Sequence, residues 1–317
     1  MLVAPAAEAM VSPVISTMLF RYSGLDEAWK QVTRTHLNYL KRNRKAQLIV
    51  GNSGSGKTQL MESYESCFDK LEGEEAVFNP VLIVEIQENT QTPINLLEQI
   101  INAMGATPVS DTRGNKLRTQ CKTLLNAHKV EILMLDEAQH TLPEKEGSKG
   151  LRMVNFFKEM IDHFDVAIVF FGTKKALRIQ NFGQKGEKPI DDEQLSGRMF
   201  PPIELTPIKP RTSKWLECVN FFLTKYKLPT LTAEDSDLVR RIYLAQRYKT
   251  FRTLTTLFDE HDFSRVKSKN DLRLELKKSY QENLIHFGAN PFDSDIFDET
   301  TVETLIVDIR EKMDAVL

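Results

Sequence analysis

The chain has 317 residues, of which 41% are apolar and 27% charged, with a formal net charge of −2. That length predicts two structural units rather than one core, and the near-neutral balance excludes a globally basic nucleic-acid binder while leaving a local basic face open. No window approaches 18 uninterrupted apolar residues, which argues against a membrane span, and the opening stretch lacks a positive start and is broken by Glu8 and two prolines, which argues against a signal peptide.

Taken in chain order, apolar positions Leu25, Ala28, Trp29, Val32, Leu37 and Leu40 predict a helix over Leu25 to Asn43. It ends in a basic run, Lys41 to Lys45, that reads either as a solvated last turn favoured by the helix dipole or as a phosphate-contacting patch. AQLIVG, VLIVEI (81–86), EILMLD (131–136), VAIVFFG (166–172) and PPIELT (201–206) then read as strands. Helical patterns separate them, over Lys57 to Lys70, Pro93 to Met104, Lys116 to His128 and Leu151 to Phe164. Continuous apolar strands alternating with helices predict an α/β fold with a parallel five-stranded sheet covered on both faces.

From Arg211 onward only helices are predicted. The expected division is an N-terminal helical extension over 1–44, an α/β domain over 45–210, a small all-helical lid over 211–285 and an acidic tail over 286–317. Within the lid, Arg265 to Lys278 carries six basic residues against Asp271 and Glu275, with Leu272, Leu274 and Leu276 expected to pack inward. The tail carries eight acids against Arg310 and Lys312. The three cysteines, Cys67, Cys121 and Cys218, are scattered without metal-ligand spacing, which fits a reducing cytosol.

The stretch GNSGSGKT, Gly51 to Thr58, follows the first strand and opens a helix, as a GxxxxGK[ST] P-loop requires. Gly51, Asn52, Ser53, Gly54, Ser55 and Gly56 would curl their N–H groups around a triphosphate, with Gln59 just inside the helix. Lys57 would reach the β- and γ-phosphates, and the Thr58 hydroxyl would ligate magnesium. The cofactors implied are ATP and Mg2+.

The third strand ends in two adjacent acids, Asp136 and Glu137, and charge beside a buried strand is costly unless it is bound or paired. Asp136 is the expected magnesium ligand, direct or through water. Glu137 is the expected base for the water that attacks the γ-phosphate; the alternative is that it only caps or pairs with a neighbour. A kinase needs no such water-activating acid, so the pair favours hydrolysis. Thr173, at the end of the fourth strand, either contacts the attacking water or γ-phosphate, or caps the helix beginning near Lys174.

With these residues assembled, the chain resembles the AAA+ ATPases and, among them, the TnsC/TniB transposition regulators. The likeness is carried by GNSGSGKT, VLIVEI with TQTPINLLEQII, LMLDEAQHTL, NFFKEMIDHF, VAIVFFGTKKAL and LSGRMFPPIEL, and covers about residues 45 to 260. It implies that Lys57 and Thr58 form the Walker A pair, Asp136 and Glu137 the Walker B pair, and that Thr173 stands at the sensor 1 position. Arg198 stands where the family keeps an arginine finger for the neighbouring subunit; the alternative is a surface pair with Asp192 or Glu193. Arg252 is the sensor 2 candidate, with Arg240 and Arg247 competing. The charged insertion NFGQKGEKPIDDEQ before Arg198 departs from the family's shorter connection.

The resemblance further implies ATP-dependent assembly into rings or filaments on duplex DNA, recruitment of a transposase and a target-selection partner, and a bacterial cytosolic location. Arg113, Lys116, Arg118 and Lys122 are the DNA-contacting candidates. Arg118 and Lys122 lie on one helix face, which can equally be a solvated face. The basic segment Arg265 to Lys278 is a second candidate. Rival readings are a helicase loader of related architecture, a signalling ATPase that never meets DNA, and a small-molecule kinase. Gln139 and His140 after the acids mimic a DExH helicase box, but one P-loop and one sheet exclude a two-domain helicase. Trp29 and Trp215 read as core, and Phe156 and Phe157 as packing against the sheet.

Overall fold

The computed structural model describes residues 20–40, 44–68, 71–72, 77–88, 90–110, 113–145, 147–182, 195–246 and 250–314. Residues 1–19 of the expected extension, most of the basic run at 41–45 and the insertion at 183–194 lie outside them. The chain divides into two units, Met1–Asn52 with Lys57–Leu205, and Ser53–Gly56 with Thr206–Leu317.

In the first unit, helix α1 (Ser23–Leu40) precedes β1 (Gln47–Gly51) and α2 (Lys57–Glu65). A short antiparallel pair follows, β2 (Leu71–Glu72) and β3 (Val77–Phe78), then β4 (Val81–Glu85). Next come α3 (Pro93–Ala103), α4 (Asn115–Ala127), β5 (Ile132–Asp136), α5 (Ser148–His163) and β6 (Ala167–Gly172). The short α6 (Arg178–Asn181) and β7 (Ile203–Leu205) complete the unit.

Among the described residues the main sheet has five strands in the order β4-β5-β6-β1-β7, every adjacent pair parallel. This is the expected fold class. All residues of β1, β5 and β6 are buried, because helices cover both faces. One face packs Leu48, Val50, Leu133, Leu135, Ile168 and Phe170 against helix residues that include Leu97, Ile100, Phe156 and Phe157. Phe157 meets Phe170 edge-on at 4.9 Å. Burying such side chains contributes roughly 1.5–3 kcal/mol each. Trp29 is buried, its ring 5.2 Å from that of Tyr64.

α2 ends at Glu65, short of the expected Lys70. The N–H groups of Cys67 and Phe68 bond three residues back, to Tyr64 and Glu65, and the Ser66 hydroxyl takes the Ser63 carbonyl. That tightening ends the helix.

The second unit contains α7 (Ser213–Lys225), α8 (Ser236–Gln246), α9 (Thr250–Asp259), α10 (Lys269–Asn283) and α11 (Glu299–Asp314). Trp215 is buried, stands edge-on to Tyr243 at 4.9 Å and donates its indole N–H to the Val239 carbonyl. The stretch expected as an acidic tail contains α11, which buries Val302 and Ile306 and packs on α8. Its Glu303 accepts from Arg211 and Arg240. On α10 the expectation for Leu274 is corrected: Leu272 and Leu276 are buried, but Leu274 is 59% exposed. Two residues advance a helix by about 200°, so Leu274 must face away from its neighbours.

Candidate nucleotide site

The site forms at the carboxyl ends of β1, β5 and β6, where a parallel sheet leaves its last backbone groups open. β1 stops at Gly51 and α2 starts at Lys57. Between them Gly54 and Gly56 take φ of 78° and 93°, a left-handed conformation that a Cβ would strain. Lys57 is buried, and its ammonium donates to the carbonyls of Gly51 (2.9 Å) and Asn52 (3.1 Å). Burial lowers its pKa, opposed by the nearby carboxylates of Asp136 and Glu137. Thr58 is exposed and its hydroxyl lies 3.4 Å from Asp136 Oδ2. Gln59 is exposed on the first turn of α2.

Asp136 is buried at the end of β5, and burial raises its pKa, partly offset by the hydrogen bond from the Glu137 N–H (2.8 Å). Glu137 adopts a left-handed φ of 52° before a short 3₁₀ turn over Ala138–Thr141, which costs a non-glycine residue about 1 kcal/mol. That turn directs consecutive acids apart: Asp136 stays with Thr58, whereas the Glu137 carboxylate accepts from the side-chain amide of Gln139. The other end of the same amide, Oε1, accepts from the Thr173 N–H at 3.0 Å. Thr173 precedes a 3₁₀ turn, Lys174–Leu177, and its hydroxyl makes no capping hydrogen bond there. Gly172, the last residue of β6, makes room for this arrangement, since a Cβ there would meet Gln139 Oε1 at 2.5 Å and Ala176 Cβ at 2.8 Å.

The structure thus brings Lys57, Thr58, Asp136, Glu137 and Thr173 to one edge of the sheet. Gln139 was given no role by the sequence. Its signal was an amide two residues beyond the acid pair, readable only once a turn folds it back.

Arg198 lies elsewhere in the unit. Its carbonyl accepts from the Ala46 N–H (2.9 Å), at the start of β1, whereas the P-loop leaves the end of that strand, roughly 17 Å away at about 3.3 Å per residue. Its guanidinium pairs with Asp162 of α5, Nε to Oδ2 at 3.0 Å; the sequence candidates Asp192 and Glu193 lie outside the described residues. Arg252 is exposed on α9 of the second unit, and its competitor Arg240 pairs with Glu303. The other competitor, Arg247, falls outside the described residues.

Of the basic candidates around α4, Arg113 and Lys116 are exposed. Arg118 pairs with Glu159 (3.1 Å) and lies over the Phe156 ring, and the Lys122 ammonium lies over Phe164. In the second candidate segment, Lys269, Arg273, Lys277 and Lys278 pair with Asp235, Asp237, Asp293 and Glu275.

No group of three or more His, Cys, Asp or Glu side chains among the described residues is arranged for a metal. One hydroxyl beside one carboxylate, as at Thr58 and Asp136, is nevertheless the protein share expected for Mg2+, which takes its remaining ligands from phosphate and water. No helix among the described residues is long and apolar enough to cross a membrane.

A family model described as "Bacterial TniB protein" matches residues 14–206, more than half of the chain. Among solved structures, the Walker-type ATPase paby2304 of Pyrococcus abyssi is similar with a TM-score of 0.54 at 14% identity, over 86% of this chain and 75% of that one. A structure of the Aeropyrum pernix ORC1 protein in complex with DNA gives 0.47 at 15% identity, over 87% and 71%. The former likeness is one of fold. A search of curated proteins gives no match.

Proposed function

The chain belongs to the TniB family, and from that premise we propose that it is an ATP hydrolase that assembles on duplex DNA and uses its nucleotide state to regulate transposition. The observation that carries the hydrolase reading is the joint placement of Lys57, Thr58, Asp136 and Glu137 at the ends of β1 and β5, with Thr58 Oγ1 3.4 Å from Asp136. The P-loop N–H groups and Lys57 bind the phosphates, and the Lys57 ammonium exchanges its two carbonyl partners for phosphate oxygens. Thr58 and Asp136 would hold Mg2+, which would supply charge neutralisation to the triphosphate. Glu137, turned away from Asp136, orients and deprotonates the attacking water, and Thr173, linked to Glu137 through Gln139, contacts that water or the γ-phosphate in this reading.

The position of Arg198 supports an assembly requirement. At the opposite end of β1 from its own P-loop, it serves the γ-phosphate of a neighbouring protomer in this reading. Leaving Asp162 costs little, because a pair with side chains 30% and 36% exposed is worth about 0–1 kcal/mol. On the DNA side, Arg113, Lys116, Arg118 and Lys122 are the candidates for tracking phosphates without reading bases. Arg118 and Lys122 must first give up their aromatic faces. Membership of the TniB family supports a transposase and a target-selection protein as the partners of this reading.

The test is anisotropy of labelled duplex DNA at low salt with the full chain, with and without a non-hydrolysable ATP analogue, beside phosphate release from ATP. DNA affinity that rises with the analogue, with larger assemblies in solution, is expected. Phosphate release with no DNA affinity under either condition overturns the DNA role and favours a signalling ATPase. No phosphate release in any condition overturns the hydrolase itself.

A further inference from the structure

We propose that Gln139 is a positioning residue for ATP hydrolysis, a two-ended clamp that sets the Glu137 carboxylate against the end of β6. This rests on the hydrolase reading above and deepens it.

The orientation of the Gln139 amide is fixed by its partners. The Thr173 backbone N–H can only donate, so Gln139 Oε1 must accept from it, at 3.0 Å. The NH2 end is then obliged to face Glu137, where it donates to Oε2. A carboxylate oxygen can only accept, so the assignment is consistent at both ends. Glu137 and Thr173 sit on the exits of two neighbouring strands, β5 and β6, and Gln139 is the side chain that spans them. The close approach of the amide to Gly172 shows that the strand exit is shaped around it.

The chemical consequence concerns Glu137. Its φ of 52° already commits the backbone, but a glutamate side chain retains rotatable bonds, and a water-activating carboxylate must hold one direction while the γ-phosphate is attacked. The amide removes that freedom. It also couples the carboxylate to the Thr173 backbone, so a γ-phosphate that draws Thr173 draws the base with it. The amide is spent on Glu137 and the Thr173 N–H, so its influence falls on the aim of the base, and hence on turnover rather than on binding.

Gln139→Ala should lower kcat for ATP about ten- to a hundredfold, the range for losing a hydrogen bond to a charged group, with KM and affinity for a fluorescent ATP analogue unchanged. Gln139→Glu keeps an acceptor for the Thr173 N–H but turns an oxygen towards Glu137, and should be at least as slow as Gln139→Ala. The deciding measurement is single-turnover hydrolysis by the full chain with duplex DNA, in a cycle with Glu137→Gln. If Gln139 acts through Glu137, adding Gln139→Ala to Glu137→Gln leaves the residual rate unchanged. A Gln139→Ala chain that turns over like the parent overturns the clamp while leaving the hydrolase reading intact. So does a further loss of the same size in the Glu137→Gln background, or a matching loss of nucleotide affinity. A parent chain that releases no phosphate overturns both.

Discussion

The two ends of the same parallel sheet each bury polar groups, and they do so to opposite effect. At the carboxyl end, among the described residues, the Lys57 ammonium donates to two main-chain carbonyls near the Asp136 and Glu137 carboxylates, and Asp136 accepts from one hydroxyl and one N–H, an arrangement that accommodates an incoming polyanion and its cation. At the amino end, His36 is fully buried and both ring nitrogens are engaged, Nδ1 with the Tyr64 hydroxyl and Nε2 with Glu131, each at 3.0 Å. Its ring also packs against Phe68. A polar group closed on all sides fixes a core, whereas one left with exchangeable backbone partners is prepared for a ligand.

The largest test of that contrast is Lys57→Ala, expected to weaken ATP binding at least a hundredfold by titration calorimetry while leaving thermal stability near that of the parent. Retained affinity would erase the distinction. Glu137→Gln comes next. Phosphate release should fall by roughly 10²–10⁴, the usual contribution of a general base, with nucleotide affinity kept and assemblies on DNA lasting longer by light scattering. At the other end, His36→Ala should cost about 1–3 kcal/mol, because it removes one buried partner of the Tyr64 hydroxyl, which also bonds Thr33, and opens a cavity beside the Tyr64 and Phe68 rings. The expected readout is a lower denaturation midpoint with kcat unchanged; slowed turnover would show that the two ends are not separable.

The smallest expected effect lies outside the sheet. His261 is partly shielded from water, which alone would lower its pKa, but hydrogen bonds to Glu275 (2.8 Å) and Glu282 (2.9 Å) raise it overall. A folded pKa above the unfolded one means that the contribution is fully present below about pH 6.5 and is lost as pH rises through the raised value. The stability gap between parent and His261→Asn should therefore be wider at pH 6 than at pH 9. An equal gap at both would show that packing, not charge, is what His261 supplies.

The sheet was legible because strands buried on both faces must be apolar throughout, and the P-loop because its glycines, lysine and threonine stand at fixed spacing before a helix. What escaped the sequence depended on distance or on phase. Among the described residues Arg198 pairs with Asp162, 36 residues away, a partner beyond the reach of any local pattern, whereas the nearer Asp192 and Glu193 lie outside them. The bridge from Gln139 to Thr173 spans 34 residues, and no local pattern announces it. Leu274 was misplaced by reading a helix with strand-like alternation. The acidic composition after residue 286 concealed Val302 and Ile306, four apart, which suffice to seat α11.

Gly172 carries a consequence of its own. Since the nearest obstacle to a methyl group there is the swinging tip of Gln139, Gly172→Ala would act as a wedge at one remove. The added methyl would press on Gln139 Oε1 and Ala176 Cβ, and the carboxylate beyond the amide would drift from its aim. A defect in turnover can thus originate at a position that contributes, beyond its place in the strand, the volume it leaves empty.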